Sequence, residues 1–134
     1  LEPEAVAYAA IRSGITQAIV LPVVARDGYS GDISLLVGID QYGSIQGVRT
    51  IEHKETPGLG DKVDRKKSLW IDSFNGKSLA NTPAADWSVT KDGGVFDGFT
   101  GATITPRAVV NAVHQGLLYH QRQQSVLYSV AKEN

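Results

Sequence analysis

The sequence has 134 residues, of which 42% are hydrophobic and 20% charged. That is one domain's worth of chain, and a chain of this size buries about two-thirds of its extended surface, so a core needs no metal or disulfide staple. The formal net charge of -1 gives no field to attract nucleic acid, and the absence of cysteine excludes disulfides, cysteine zinc sites, iron–sulfur clusters and thiol catalysis.

Residues 2–12 are alanine-rich and read as a short helix ending near Gly14. The apolar run 15–25 is too short to cross a bilayer, which takes ~20 residues. Its Ile, Val and Leu content predicts a buried strand over residues 17–26, with Pro22 marking an edge position or a bulge. Asp27-Gly28-Tyr29-Ser30-Gly31 is a turn cluster. Residues 33–40 and 45–52 then read as two strands of a hairpin closed by Gln41-Tyr42-Gly43-Ser44. On the second strand, strict alternation sets Ile45, Gly47, Arg49 and Ile51 against Gln46, Val48 and Thr50.

The loop Glu55-Thr56-Pro57-Gly58-Leu59-Gly60 combines a fixed proline φ with two conformationally free glycines. Residues 61–74 hold a helical turn followed by a short strand or coil, 75–86 a loop, 87–90 a short strand and 91–94 a turn. A helix closes the chain, with Thr105 as N-cap and Pro106 as first helical residue, running to about residue 121 or 124. Val109, Val110, Val113 and Leu117 form its apolar face. Hairpin strands beside one strong helix predict a single α+β domain over residues 1–134, with a mostly antiparallel sheet and a C-terminal helix.

Little of the familiar chemistry is present. His114 and His120 are six apart, which puts them on different helix faces, and the histidines read as surface residues rather than metal ligands. Gly58-Leu59-Gly60 opens like a dinucleotide fingerprint, but Val63 stands where the third glycine belongs. What remains is Asp97-Gly98-Phe99-Thr100-Gly101-Ala102-Thr103-Ile104-Thr105-Pro106, which gathers threonine hydroxyls and a glycine at a helix N-terminus. Free N–H groups and the positive dipole end favour an anion there, a phosphate above all. The residues alone leave open the plainer alternative that Thr105 caps a helix and Gly101 makes a turn.

Asp97-Gly98-Phe99-Thr100-Gly101-Ala102-Thr103 resembles the flavinylation motif of the bacterial FMN-binding domain family, Asp-x-x-Ser/Thr-Gly-Ala-Thr. The Glu55–Gly60 loop resembles that family's second signature, and the likeness spans residues 23–119. The block from Phe99 to Val110 is similar to that of the Rnf-type G subunits, more than to the C subunits of sodium-pumping NADH:quinone reductases. The resemblance implies FMN joined through its phosphate to Thr103, with Asp97 recognised by a flavin transferase. It also implies a backbone approach at Gly101 and Ala102, phosphate contacts from Thr100 or Thr105, and a signature loop in which Gly58 lies near the flavin. Leu59 would form an apolar wall and Glu55 and Thr56 polar neighbours, while Trp70 and Trp87 would either stack on the ring or belong to the core.

The expected role is an electron carrier that is not catalytic by itself, working with the other subunits of an ion-translocating complex that links ferredoxin and NAD. No nucleic-acid partner is expected. The absence of methionine fits a piece of a longer protein. The resemblance then implies an N-terminal anchor in the inner membrane and a flavin domain on the periplasmic side. Alternatives are a module of another extracytoplasmic reductase, and a cofactor-free interaction domain in which the threonines only shape a helix start.

Overall fold

The structure, a computed structural model, describes residues 8–12 and 14–133. One antiparallel sheet holds β1 (Tyr8–Arg12), β2 (Ile15–Ala25), β3 (Ile33–Asp40) and β4 (Ile45–Glu52) in chain order. The long helix α1 (Ile104–Arg122) packs against β2 and β3, and α2 (Gln124–Glu133) packs against the β1–β2 side. This is the expected α+β arrangement of an antiparallel sheet with a C-terminal helix.

The sheet's inner face follows from alternation. Ile33, Leu35, Val37 and Ile39 of β3 and Ile19, Leu21, Val23 and Ala25 of β2 are all buried, and they meet Val109, Val110, Val113 and Leu117, the predicted apolar face of α1. The hairpin bounds and its turn are as the sequence predicts. Its face assignment is not. Ile39 pairs with Ile45 but Gly38 with Gly47, so Gln46 is an inserted residue, and the inward face shifts from Ile45 to Val48. Ile51 is consequently 59% exposed.

Residues 8–12 correct the expected N-terminal helix: they form an edge strand, with Tyr8 opposite Val20 and Arg12 opposite Ile15. Alanine's helix preference is worth only tenths of a kcal/mol per residue, about what one row of ladder hydrogen bonds outweighs. The rest of that expected helix lies outside the described residues. Pro22 pairs with Leu36 of β3, beyond the last described β1 partner at Val20, so there β2 has a described neighbour on one side only.

Between β4 and α1 the chain is irregular, with 3-10 turns at Gly60–Val63, Trp70–Phe74, Ala84–Asp86 and Thr90–Asp92. The strand expected at 87–90 reduces to a single parallel bridge between Val89 and Phe96. What orders this stretch is aromatic packing. Phe74 lies 4.7 Å from Phe96 and 5.5 Å, edge-on, from Trp70, and Trp87 lies 5.4 Å from Phe96. Both indoles are core residues with satisfied N–H groups: Trp70 donates to the Asp97 carbonyl and Trp87 to the Thr82 carbonyl.

His120 overturns the surface reading of the histidines. It is 2% exposed, and its Nε2 sits 2.8 Å from the Tyr128 hydroxyl, which donates to the Asp40 carbonyl. This junction holds α2 against the end of β3. Burial pushes the His120 imidazole below its ordinary value, against the opposing pull of Asp40, and burial lowers His114, stacked on Trp87, in the same direction. Burial also pushes the Tyr128 phenol up to about 12. A histidine depressed in the fold takes up its proton more readily when unfolded. Its stabilising contribution is therefore complete above the unfolded pKa of ~6.5 and is lost as pH falls from there towards the folded value. Urea unfolding at about pH 7.5 and about pH 5 is expected to show lower stability at the acid end, with a shallower pH slope for His120→Gln.

Candidate flavin-binding site

The first turn of α1, the loop after β2 and the loop after β4 converge on one cavity. Its volume is about 460 Å³, and it is lined by Tyr29, Thr56, Leu59, Gly60, Gly101, Ala102, Thr103, Ile104 and Thr105. That volume lies within the ~300–1,000 Å³ of small-molecule and cofactor sites. Thr56, Leu59, Gly101, Ala102, Thr103 and Thr105 were all singled out from the sequence, whereas Tyr29, Gly60 and Ile104 were not. Tyr29 stood in plain view within the Asp27–Gly31 turn, and only its fold-level placement brings it here.

The entry to α1 sets the geometry. Gly101 takes φ +74, a left-handed value, and a Cβ there would stand 3.4 Å from the Leu59 Cδ2. The chain then turns so that Thr103, not Thr105, immediately precedes the helix. The expected cap at Thr105 is thus corrected: this residue lies inside the first turn, 1% exposed, and its hydroxyl donates to Glu55 at 2.5 Å. Thr103 is half-buried on the cavity wall and makes no capping hydrogen bond, and its hydroxyl has no partner among the described residues. The Ile104 and Thr105 amides open the helix, where no intrahelical acceptor exists for them. Thr100 is exposed and does not line the cavity.

In the signature loop, Gly58 takes φ +78 and donates to the Asp61 carboxylate, which shapes the turn away from the cavity. Gly60 is buried between partners. A Cβ there would lie 2.7 Å from the Thr105 hydroxyl and 2.9 Å from the Glu55 Cβ, so the loop reaches the helix this closely only with glycine. Glu55 stands behind the cavity wall rather than in it. Its Oε1 accepts from the Tyr29 amide and the Thr105 hydroxyl, and its Oε2 from the Ser30 amide at 2.8 Å. One side chain therefore ties together the loop after β2, the loop after β4 and the first turn of α1.

An antiparallel sheet carrying one long helix, with an apolar cavity, a threonine hydroxyl without a partner among the described residues and helix-opening amides beside it, defines a domain suited to a small phosphate-bearing ligand. The chain belongs to the FMN-binding domain family, whose sequence model matches residues 28–118. Among curated relatives, the G subunit of the ion-translocating oxidoreductase complex of Pseudoalteromonas atlantica is 50% identical over 94% of this chain and 59% of its own. The G subunit of the complex of the same name from Pseudomonas aeruginosa is 55% identical over 84% of this chain and 53% of its own. The chain thus spans between half and three-fifths of the length of these relatives. Two solved structures share the fold. One is Shewanella oneidensis NqrC, with a TM-score of 0.57 and 22% identity over 87% of this chain and 65% of that one. The other is the C subunit of the Na(+)-translocating NADH-quinone reductase of Parabacteroides distasonis, with a TM-score of 0.64 and 19% identity over 86% of this chain and 60% of that one.

Proposed function

We propose that this chain is the flavin-carrying domain of a G-type subunit of an ion-translocating electron-transfer complex, with FMN held by a phosphate ester to Thr103. The observation that carries the reading is the Thr103 hydroxyl: without a partner among the described residues, half-buried, on the cavity wall and one residue ahead of α1, within a matching motif. Bound there, FMN supplies one- or two-electron carriage.

The chain's own residues have distinct tasks. Thr103 provides the oxygen of the ester, and the Ile104 and Thr105 amides with the dipole of α1 stabilise the charge that a phosphodiester retains. Gly101 would keep the backbone clear of the ester, while Leu59, Ile104 and Tyr29, exposed apolar side chains on the cavity lining, would cover the apolar part of the cofactor. Thr56 offers a polar contact at the rim. A covalent tether suits a carrier that must not lose its cofactor by dilution, which fits a domain working outside the cytoplasm. It sits on the periplasmic face of the inner membrane, anchored by a segment N-terminal to the sequence, and exchanges electrons with the other subunits. Asp97, exposed at the head of the motif, is the point a flavin transferase reads during maturation.

The deciding experiment is the intact mass after co-expression with a flavin transferase proven on a control domain. A gain of one FMN less one water, mapped to the Thr103 peptide, supports the reading. No gain overturns it in favour of a cofactor-free interaction domain.

A further inference from the structure

Glu55 is 4% exposed and is the one acidic side chain that is buried among the described residues. A carboxylate this deep ordinarily has a cation beside it. The His53 Nδ1 accepts from the Glu55 backbone amide, but among the described residues no lysine, arginine or histidine nitrogen pairs with the carboxylate, whose partners are neutral donors, two backbone amides and a hydroxyl. Those bonds satisfy its lone pairs without neutralising its charge. Two of the partners belong to Tyr29 and Thr105, which line the cavity, and the next residue in the chain, Thr56, lines it too. The negative charge thus stands directly behind the wall, on a side chain only 4% exposed.

We propose that Glu55 is a positioning residue whose fixed negative charge lowers the reduction potential of the flavin held in this cavity. The inference rests on the reading of the cavity as a flavin seat. Reduction adds electrons, and therefore negative charge, to the ring, and a nearby buried carboxylate opposes that addition more strongly than one screened by solvent. Its hydrogen bonds also set the spacing of three cavity walls, so geometry and charge have to be separated experimentally.

The test is a redox titration of the flavin-loaded chain against dyes of known potential. Glu55→Gln removes the charge at constant shape and gives up one acceptor, since its NH2 must face the Tyr29 or the Ser30 amide. At a fixed solution potential it is expected to raise the reduced-to-oxidised ratio about ten-fold, a shift of ~30 mV for a two-electron couple. Glu55→Asp keeps the charge but withdraws it by one methylene from its partners, and is expected to stay within about two-fold of the parent. No shift in Glu55→Gln, or an equal shift in both variants, overturns the proposal. Should Glu55→Gln not fold, the redox-difference infrared spectrum of the unaltered loaded chain, with isotope-labelled glutamate, replaces it. A buried carboxylate band that moves on reduction supports the role, and a band that does not move overturns it. A chain that accepts no flavin from a competent transferase fails earlier, at the functional reading itself, and is distinguishable from both.

Discussion

Thr103→Val is expected to reduce covalent FMN on the purified chain from stoichiometric to background while leaving the fold in place. The hydroxyl makes no cap and has no partner among the described residues, so removing it leaves no buried group unsatisfied. The half-buried site accepts the isosteric methyl at a cost within about 1 kcal/mol. Thr105→Val makes the contrast. Two residues away and on the same helix turn, its hydroxyl is the 2.5 Å donor to Glu55. Its loss strips a buried carboxylate of one partner and costs about 1–3 kcal/mol of stability, yet attachment persists. Mass spectrometry and urea unfolding on the two variants therefore move in opposite patterns. Flavin that remained covalent on Thr103→Val would assign the ester to another residue, and loss of flavin from Thr105→Val at full stability would make Thr105 a ligand rather than a strut.

The contrast between these threonines shows where sequence reading stops. Both stand in one motif, and spacing before Pro106 favours Thr105 as cap, because a residue preceding proline avoids the helical region. Spacing carries no sign of Glu55, fifty residues earlier, whose carboxylate captures the Thr105 hydroxyl and draws it into the core. Long-range polar contacts of this kind leave no periodic trace. The same limit explains Glu55 itself, read as a neighbour of the flavin and found behind the wall. Periodicity was reliable where one force dominates: the buried face of β3 and the apolar stripe of α1 follow from side-chain direction alone. It failed on β4, where an inserted Gln46 reverses the faces, and on residues 8–12, where pairing with β2 overrides alanine's helix preference. The cavity was legible in its loop and motif segments, each with unusual glycine and threonine content. Tyr29 belongs to a third segment that only the sheet's topology brings alongside.

Phe74→Ala is expected to be the most damaging single substitution in the core, lowering stability by about 3–5 kcal/mol. Its side chain is fully buried, and its ring centroid lies 4.7 Å from that of Phe96, 5.5 Å from that of Trp70 and 6.5 Å from that of Trp87. Residues 53–103 have no strand ladder to hold them, so this cluster anchors them together with their turn hydrogen bonds. The backbone beside Phe74 also hooks onto the sheet: the Gly76 amide donates to the Ile45 carbonyl and the Ile45 amide to the Lys77 carbonyl. A cavity of phenyl size here loosens that hook and the packing of Trp70, which in turn holds the motif through Phe99, 4.8 Å away, and through the Asp97 carbonyl. Typical domains are stable by only ~5–15 kcal/mol, so the loss takes from about a fifth to all of that margin. Equilibrium unfolding in urea reads the loss directly, and Phe74→Leu, which leaves a smaller void, should fall between the two. A loss under about 1 kcal/mol would mean the irregular half of the domain is held by its turns instead. On the present packing, the element that presents Thr103 to its cofactor depends on an aromatic cluster that never touches the site.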